Sequence, residues 1–154
     1  MIRTDTKKDQ EKECDKMSEI NTDFLQKCID TLERSYIMLQ KTQQDTIDYE
    51  LYRNSLVKSF EMSLEQSGKL LKKKINPYFP SKKAADRLSF KDVFRYAHKH
   101  SLLTESETAR WMKYRDNRNS TAHDYGQEFA EETLALMEDF LSDVKKLKEM
   151  IEHA

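Results

Sequence analysis

Residues 46–80 read TIDYELYRNSLVKSFEMSLEQSGKLLKKKINPYFP, and this stretch decides the fold class. Leu51, Tyr52, Leu56, Phe60, Leu64, Leu71 and Ile75 fall on one apolar stripe of a helix about thirty residues long. Asp45 and Thr46 supply capping side chains at its start. Pro77 and Pro80 stop it, because a proline inside a helix has no N–H to donate and clashes with the preceding turn. These are the only two prolines of the 154-residue chain, which also holds only two glycines. Strands need turns, and turns need Gly, Pro or Asn-Gly punctuation that this sequence lacks. The chain therefore reads as all-α, a four- to five-helix up-and-down bundle.

Upstream, Phe24, Leu25, Cys28, Ile29, Leu32, Tyr36 and Leu39 place a first helix from Asn21 or Thr22 to Gln43. Residues 1–20 carry charge without apolar periodicity and read as a flexible or frayed tail, leaving 21–154 as the helical domain. Downstream, residues 76–87 read as an irregular, insertion-like loop. Ser89 and Asp92 then cap a helix that ends near His100 and buries Phe90, Val93, Phe94 and Ala97. Thr104 and Glu107 form a capping box opening a fourth helix through Trp111, Met112 and Tyr114. A final helix spans Gln127 to Ile151. Its stripe of Ala130, Met137, Val144 and Ile151, with Phe140 and Leu147 between, suits its own core or a coiled-coil-like seam with another helix.

Composition excludes several classes. No run of eighteen apolar residues is present, so no segment spans a membrane as a helix. The N-terminus lacks the apolar core of a secretory signal. Cys14 and Cys28 show no metal-ligand spacing and read as reduced thiols, which points to the cytoplasm. The formal charge of −1 conceals an asymmetry. Between Ser67 and Arg118 lie fourteen Lys/Arg against five Asp/Glu, leaving thirteen and twenty-three elsewhere. Such a basic middle attracts a polyanion locally, although solvated lysine-rich helix faces give the same count.

The chemistry-bearing stretch is Arg118-Asn119-Ser120-Thr121-Ala122-His123-Asp124-Tyr125. On a straight helix His123 would sit about 140° from Arg118, and Tyr125 about 200° from His123. The three side chains meet only if the helix breaks, for which Asn119, Ser120 and Thr121 are suitable, or if a second copy contributes. A guanidinium grips two phosphate oxygens, an imidazole moves protons near neutral pH, and a phenol donates to phosphate. No carboxylate cluster is spaced for Mg²⁺ beside them. Equally, the same residues make an Arg–Asp surface pair, a capping Asn or Ser, and a packed His.

Arg, four residues, His, one residue, Tyr is the motif of the HEPN superfamily, and Arg118-Asn119 matches its Arg–polar opening. Residues 52–65, YRNSLVKSFEMSLE, resemble a helix of its nucleotidyltransferase substrate-binding branch. Lys91 to Ala97, Leu102-Leu103 and Trp111-Met112 resemble the next two helices, so the likeness covers about residues 22–151. The resemblance implies the HepT half of a type VII-like toxin–antitoxin module. That half is a homodimeric, metal-independent ribonuclease with no cofactor of its own, which leaves 2′,3′-cyclic phosphate ends on tRNA or mRNA. Arg118, His123 and Tyr125 are then catalytic, and Asn119, Arg115, Lys91 and Arg95 contact substrate. Lys72, Lys73, Lys74 and Lys99 add general attraction to the RNA backbone. The cognate minimal nucleotidyltransferase (MNT) antitoxin would use ATP to place AMP on Tyr125. The alternatives are a non-catalytic nucleotide- or substrate-binding subunit of a separate nucleotidyltransferase, and a helical interaction module.

Overall fold

One 29-residue helix organises the bundle. In the computed structural model, which describes residues 20–120 and 127–153, it runs from Ile47 to Ile75 and is α2 in chain order. The Thr46 hydroxyl accepts the Tyr49 N–H at 3.2 Å, capping it where the sequence predicts. At 1.5 Å per residue α2 is about 43 Å long. The other helices are α1 (Asp23–Lys41), α3 (Lys82–Asp86), α4 (Phe90–Lys99), α5 (Glu105–Ser120) and α6 (Gln127–Glu152), and α2 packs against each of them. Every regular element among the described residues is helical.

The core forms where the stripes converge. Leu25, Ile29 and Leu32 of α1 meet Leu56, Phe60, Leu64 and Leu71 of α2, and Val93 and Phe94 of α4 close one side. Trp111 of α5 is fully buried, its ring 4.8 Å from Phe94 and 5.6 Å from Phe140 of α6. Ser59 and Ser67 lie within this core because their hydroxyls donate to the carbonyls of Ser55 at 2.6 Å and Ser63 at 2.7 Å. That local bonding removes the cost of burying a polar group. Cys28 is buried on α1, as its spacing predicts, and burial pushes its thiol pKa up.

Several expectations change. Phe24 is 48 % and Leu51 60 % exposed. Phe24 sits on the outer edge of the α1 stripe, and burial on α2 begins only at Leu56. Phe90 is half-buried. The stretch 76–87 is largely helical, with a 3-10 turn over Asn76–Tyr78 and α3, whose cap Ser81 accepts the Ala84 N–H at 3.3 Å. On α6, Met137, Phe140, Val144, Leu147 and Ile151 are all buried against the chain's own helices, so these positions of the stripe serve its own core. The expected tail falls on residues 1–19, outside the described residues, and Ile20 packs half-buried against the core. No helix among the described residues is long and apolar enough to cross a membrane.

Polar contacts tie the helix ends. The Thr22 hydroxyl donates to the Glu152 carboxylate at 2.6 Å, joining the start of α1 to the end of α6. Lys74 donates to the carbonyls of Ile151 and His153 at 3.4 and 2.5 Å, satisfying acceptors that a helix C-terminus leaves open. The predicted capping box of α5 forms in both directions. Thr104 N–H donates to Glu107 Oε1 at 3.0 Å, and Glu107 N–H to Thr104 Oγ1 at 3.1 Å.

The α4–α5 corner uses a residue that sequence reasoning passes over. Ser101 N–H donates to the His98 carbonyl at 3.0 Å and Leu102 N–H to that of Ala97 at 2.9 Å. This is the bonding of a Schellman turn, whose pivotal residue takes a left-handed conformation normally given to glycine. Ser101 adopts it at φ 62°. Ser101→Gly should relieve that strain and raise unfolding free energy by about 0.5–1 kcal/mol. Urea denaturation of the two proteins measures it.

Candidate functional site

The motif occupies the end of α5 and the connection to α6. Arg118 is half-buried in the last turn of α5, where the helix dipole favours a cation. Asn119 follows it, and α5 continues through Ser120. The break anticipated at Asn119-Ser120-Thr121 is thus not at Asn119 or Ser120. Their low helix propensity costs only a few tenths of a kcal/mol each, less than the packing that holds α5 supplies. His123 and Tyr125 lie outside the described residues, as does Thr121.

What aims this end of α5 is a polar clamp to α6. Asp143, only 3 % exposed, accepts two hydrogen bonds from one Arg110 guanidinium, Nε to Oδ2 at 2.7 Å and Nη2 to Oδ1 at 2.9 Å. The buried Tyr114 hydroxyl donates to the same Oδ2 at 2.5 Å. One turn nearer the motif, Asn117 Nδ2 donates to the hydroxyl of the fully buried Thr133 at 3.2 Å. Residues 110, 114 and 117 share one face of α5, so the three contacts form a single line along it. Burial first, and the hydrogen bond to Asp143 second, push the Tyr114 phenol well above the ordinary tyrosine range. The hydrogen bond to Asp143 likewise raises the Arg110 pKa.

The basic residues divide into groups. Lys91 pairs with Asp116 at 2.5 Å, and Arg95 with Asp92 at 3.2 Å, one turn apart on α4. Lys99 lies 5.8 Å from the centre of the Tyr96 ring. Lys74 is drawn to the end of α6, as described above, and Lys73 is exposed on α2. Arg115 behaves differently. Its guanidinium carbon stands 5.0 Å from the centre of the Phe90 ring, within cation–π range. Arg115 and Phe90 line a small pocket of about 170 Å³ with Lys69 and Lys72 of α2. Of the cations expected to contact substrate or to attract its backbone, Arg115 and Lys72 are the two brought to one pocket.

Sequence reasoning missed the Asp143 clamp. Thirty-three positions separate Asp143 from Arg110, and nothing local links them. Phe90 was read as core, whereas it forms a wall of this pocket. A signal was present in Gly68, a glycine inside a long helix, which commonly marks a close approach.

A family model described as nucleotidyltransferase substrate binding protein like matches residues 23–153, nearly the whole described fold. The chain belongs to this family. Its HEPN, HepT-like character agrees with a relative from Haemophilus influenzae named "Probable ribonuclease HepT", 26 % identical over 136 residues that cover 86 % of this chain and 92 % of that protein. A solved Haemophilus influenzae structure, described as revealing the fold of a nucleotidyltransferase substrate-binding domain, matches at TM-score 0.72 and 26 % identity. It covers 85 % of this chain and 98 % of that one. A Shewanella oneidensis HEPN toxin, tri-AMPylated and in complex with its MNT antitoxin, shares the fold at TM-score 0.60 and 16 % identity, covering 88 % of this chain and 100 % of that one.

The clamp gives this HEPN chain a measurable signature. Tyr114→Phe removes one hydrogen bond to a carboxylate, while Arg110 still holds Asp143, and should cost about 1.5 kcal/mol. Because the folded-state pKa of Tyr114 is raised, the phenol stabilises the fold fully below about pH 10, the unfolded value, and this stability is lost as pH rises beyond it. Urea denaturation across pH 8–11 should show a steeper alkaline decline in the native protein than in Tyr114→Phe.

Proposed function

We propose that this protein is a metal-independent endoribonuclease toxin of a HEPN–MNT module. The observation that carries the reading is the Arg118, His123, Tyr125 motif, whose arginine sits on a helix end braced by α6, in a fold matched to a probable ribonuclease HepT along 86 % of its length. Arg118 binds the scissile phosphate and stabilises the charge that develops on it. His123 takes the proton of a ribose 2′-OH as that oxygen attacks the adjacent phosphorus. The bond to the 5′-oxygen breaks, that oxygen is protonated, and a 2′,3′-cyclic phosphate and a 5′-OH remain. Tyr125 orients the phosphate. A homodimer provides two motif copies and so both proton-transferring histidines, which removes the need for one chain to bring all three side chains together.

Regulation follows from Tyr125. A cognate MNT nucleotidyltransferase moves AMP from ATP to its phenolic oxygen: the new bond joins that oxygen to the α-phosphorus, and pyrophosphate leaves with the displaced electron pair. A bulky anion then occupies a site shaped for RNA phosphate. The AMPylated, MNT-bound state of the Shewanella HEPN protein supports this reading, and the basic character between Ser67 and Arg118 supports RNA as substrate. A second reading, a non-catalytic binding subunit, is favoured by the substrate-binding description of the matched family.

The two separate cleanly. Arg118→Ala and His123→Ala should each lower RNA cleavage in EDTA by about a thousandfold with the fold retained, the scale expected when a charge-stabilising or proton-transferring group is lost. Equal cleavage by the native protein and both variants would exclude the motif as the catalyst. Intact mass spectrometry after incubation with the MNT partner and ATP should show added AMP on the native protein and none attributable to this site on Tyr125→Phe.

A further inference from the structure

Arg115 and Arg118 lie three residues apart on α5, about 4.5 Å along the axis and about 60° around it, on neighbouring parts of one helix surface. The pocket containing Arg115 therefore opens one turn from the motif. Its construction is specific. Phe90 begins α4 and lays its ring against Gly68 of α2 so closely that a Cβ there would meet ring carbons at 2.7 and 2.8 Å. Gly68 thus admits the ring, and the ring supports the Arg115 guanidinium at 5.0 Å.

The cations around it are not equally engaged. Lys69 pairs with Glu65 at 3.5 Å, an exposed contact of small energetic weight. Lys72 and Arg115 make no ion pair among the described residues. A planar guanidinium set over an aromatic ring on one side still offers its other side, on which a nucleobase stacks, while an ammonium beside it suits a phosphate. We propose that this pocket is a nucleotide subsite for single-stranded RNA. A base next to the cleaved bond stacks on Arg115, backed by Phe90, and its phosphate is held by Lys72 with help from Lys69. The inference rests on the ribonuclease reading for its substrate and adds where the chain flanking the cleaved bond runs.

The test separates binding from cleavage. A fluorescein-labelled, single-stranded 2′-O-methyl RNA oligomer of mixed sequence has no 2′-OH to attack with, so anisotropy titration in EDTA reads affinity alone. Lys72→Glu and Arg115→Ala should each weaken binding about tenfold, and Lys72→Glu should lower the slope of log K against log salt by about one, for one lost phosphate contact. Gly68→Ala should weaken binding with every charge kept and the salt slope unchanged, because it displaces the Phe90 ring. Lys27→Glu makes the same charge change in the separate groove between α1 and α2, and should stay within threefold of the native protein. Native affinity in both Lys72→Glu and Arg115→Ala, or an equal loss in Lys27→Glu, would overturn the subsite, as would failure of the native protein to bind the oligomer. Loss of nuclease activity as the protein's role, with this binding pattern intact, would instead remove the catalytic reading and leave the subsite standing.

Discussion

The Asp143 carboxylate is the constraint on which the candidate site depends. It is almost wholly buried, and a charge in that position is destabilising unless its oxygens are paired. Among the described residues its hydrogen bonds come from α5, two from Arg110 and one from Tyr114. Rotating α5 by a single residue would swing both partners by about 100° and strand the carboxylate. The clamp therefore sets the rotation of α5 against α6 more sharply than apolar packing, which tolerates repacking at similar volume. Asn117 and Thr133 repeat the restraint nearer the motif. The directions in which Arg115 and Arg118 leave the helix follow from it.

A second restraint acts from the other side. α2 passes behind both α4 and α5, and its one glycine is placed where Phe90 needs room. The ring that fills this space faces Arg115, so α2, α4 and α5 meet at the pocket next to the motif. Rigid helices position binding groups better than loops do, and here the cations are on helices throughout. The basic excess between Ser67 and Arg118 is thus partly organised. Lys91 and Arg95 are drawn into pairs with carboxylates, whereas Lys72 and Arg115 converge.

Much of this architecture was legible before any coordinates. The stripe ending at Ile75, the Thr46 cap and the Thr104–Glu107 box are local, and local rules find them. Periodicity tells which way a stripe faces but not how far along its length a neighbour covers it, so Phe24 and Leu51 belong to their stripes and yet stay exposed. Asn119 and Ser120 looked like breakers because propensity is a sum of tenths, and long-range packing overrides it. Nothing local in the sequence marks Asp143 on its charged helix. Only the meeting of α5 and α6 reveals its role, and no single-sequence pattern encodes that meeting. For the site, Arg118 and Arg115 were legible as chemistry, while the part played by Phe90 and Gly68 required the fold.

The central claim concerns the chemistry performed at the end of α5, and the ends of the cleaved RNA test it most directly. Purified protein, incubated with RNA in EDTA, should leave a 2′,3′-cyclic phosphate on one fragment and a free 5′-OH on the other, the products of attack by a neighbouring 2′-OH under proton transfer alone. Fragments bearing 3′-OH and 5′-phosphate ends, or cleavage that requires a divalent metal, would contradict it.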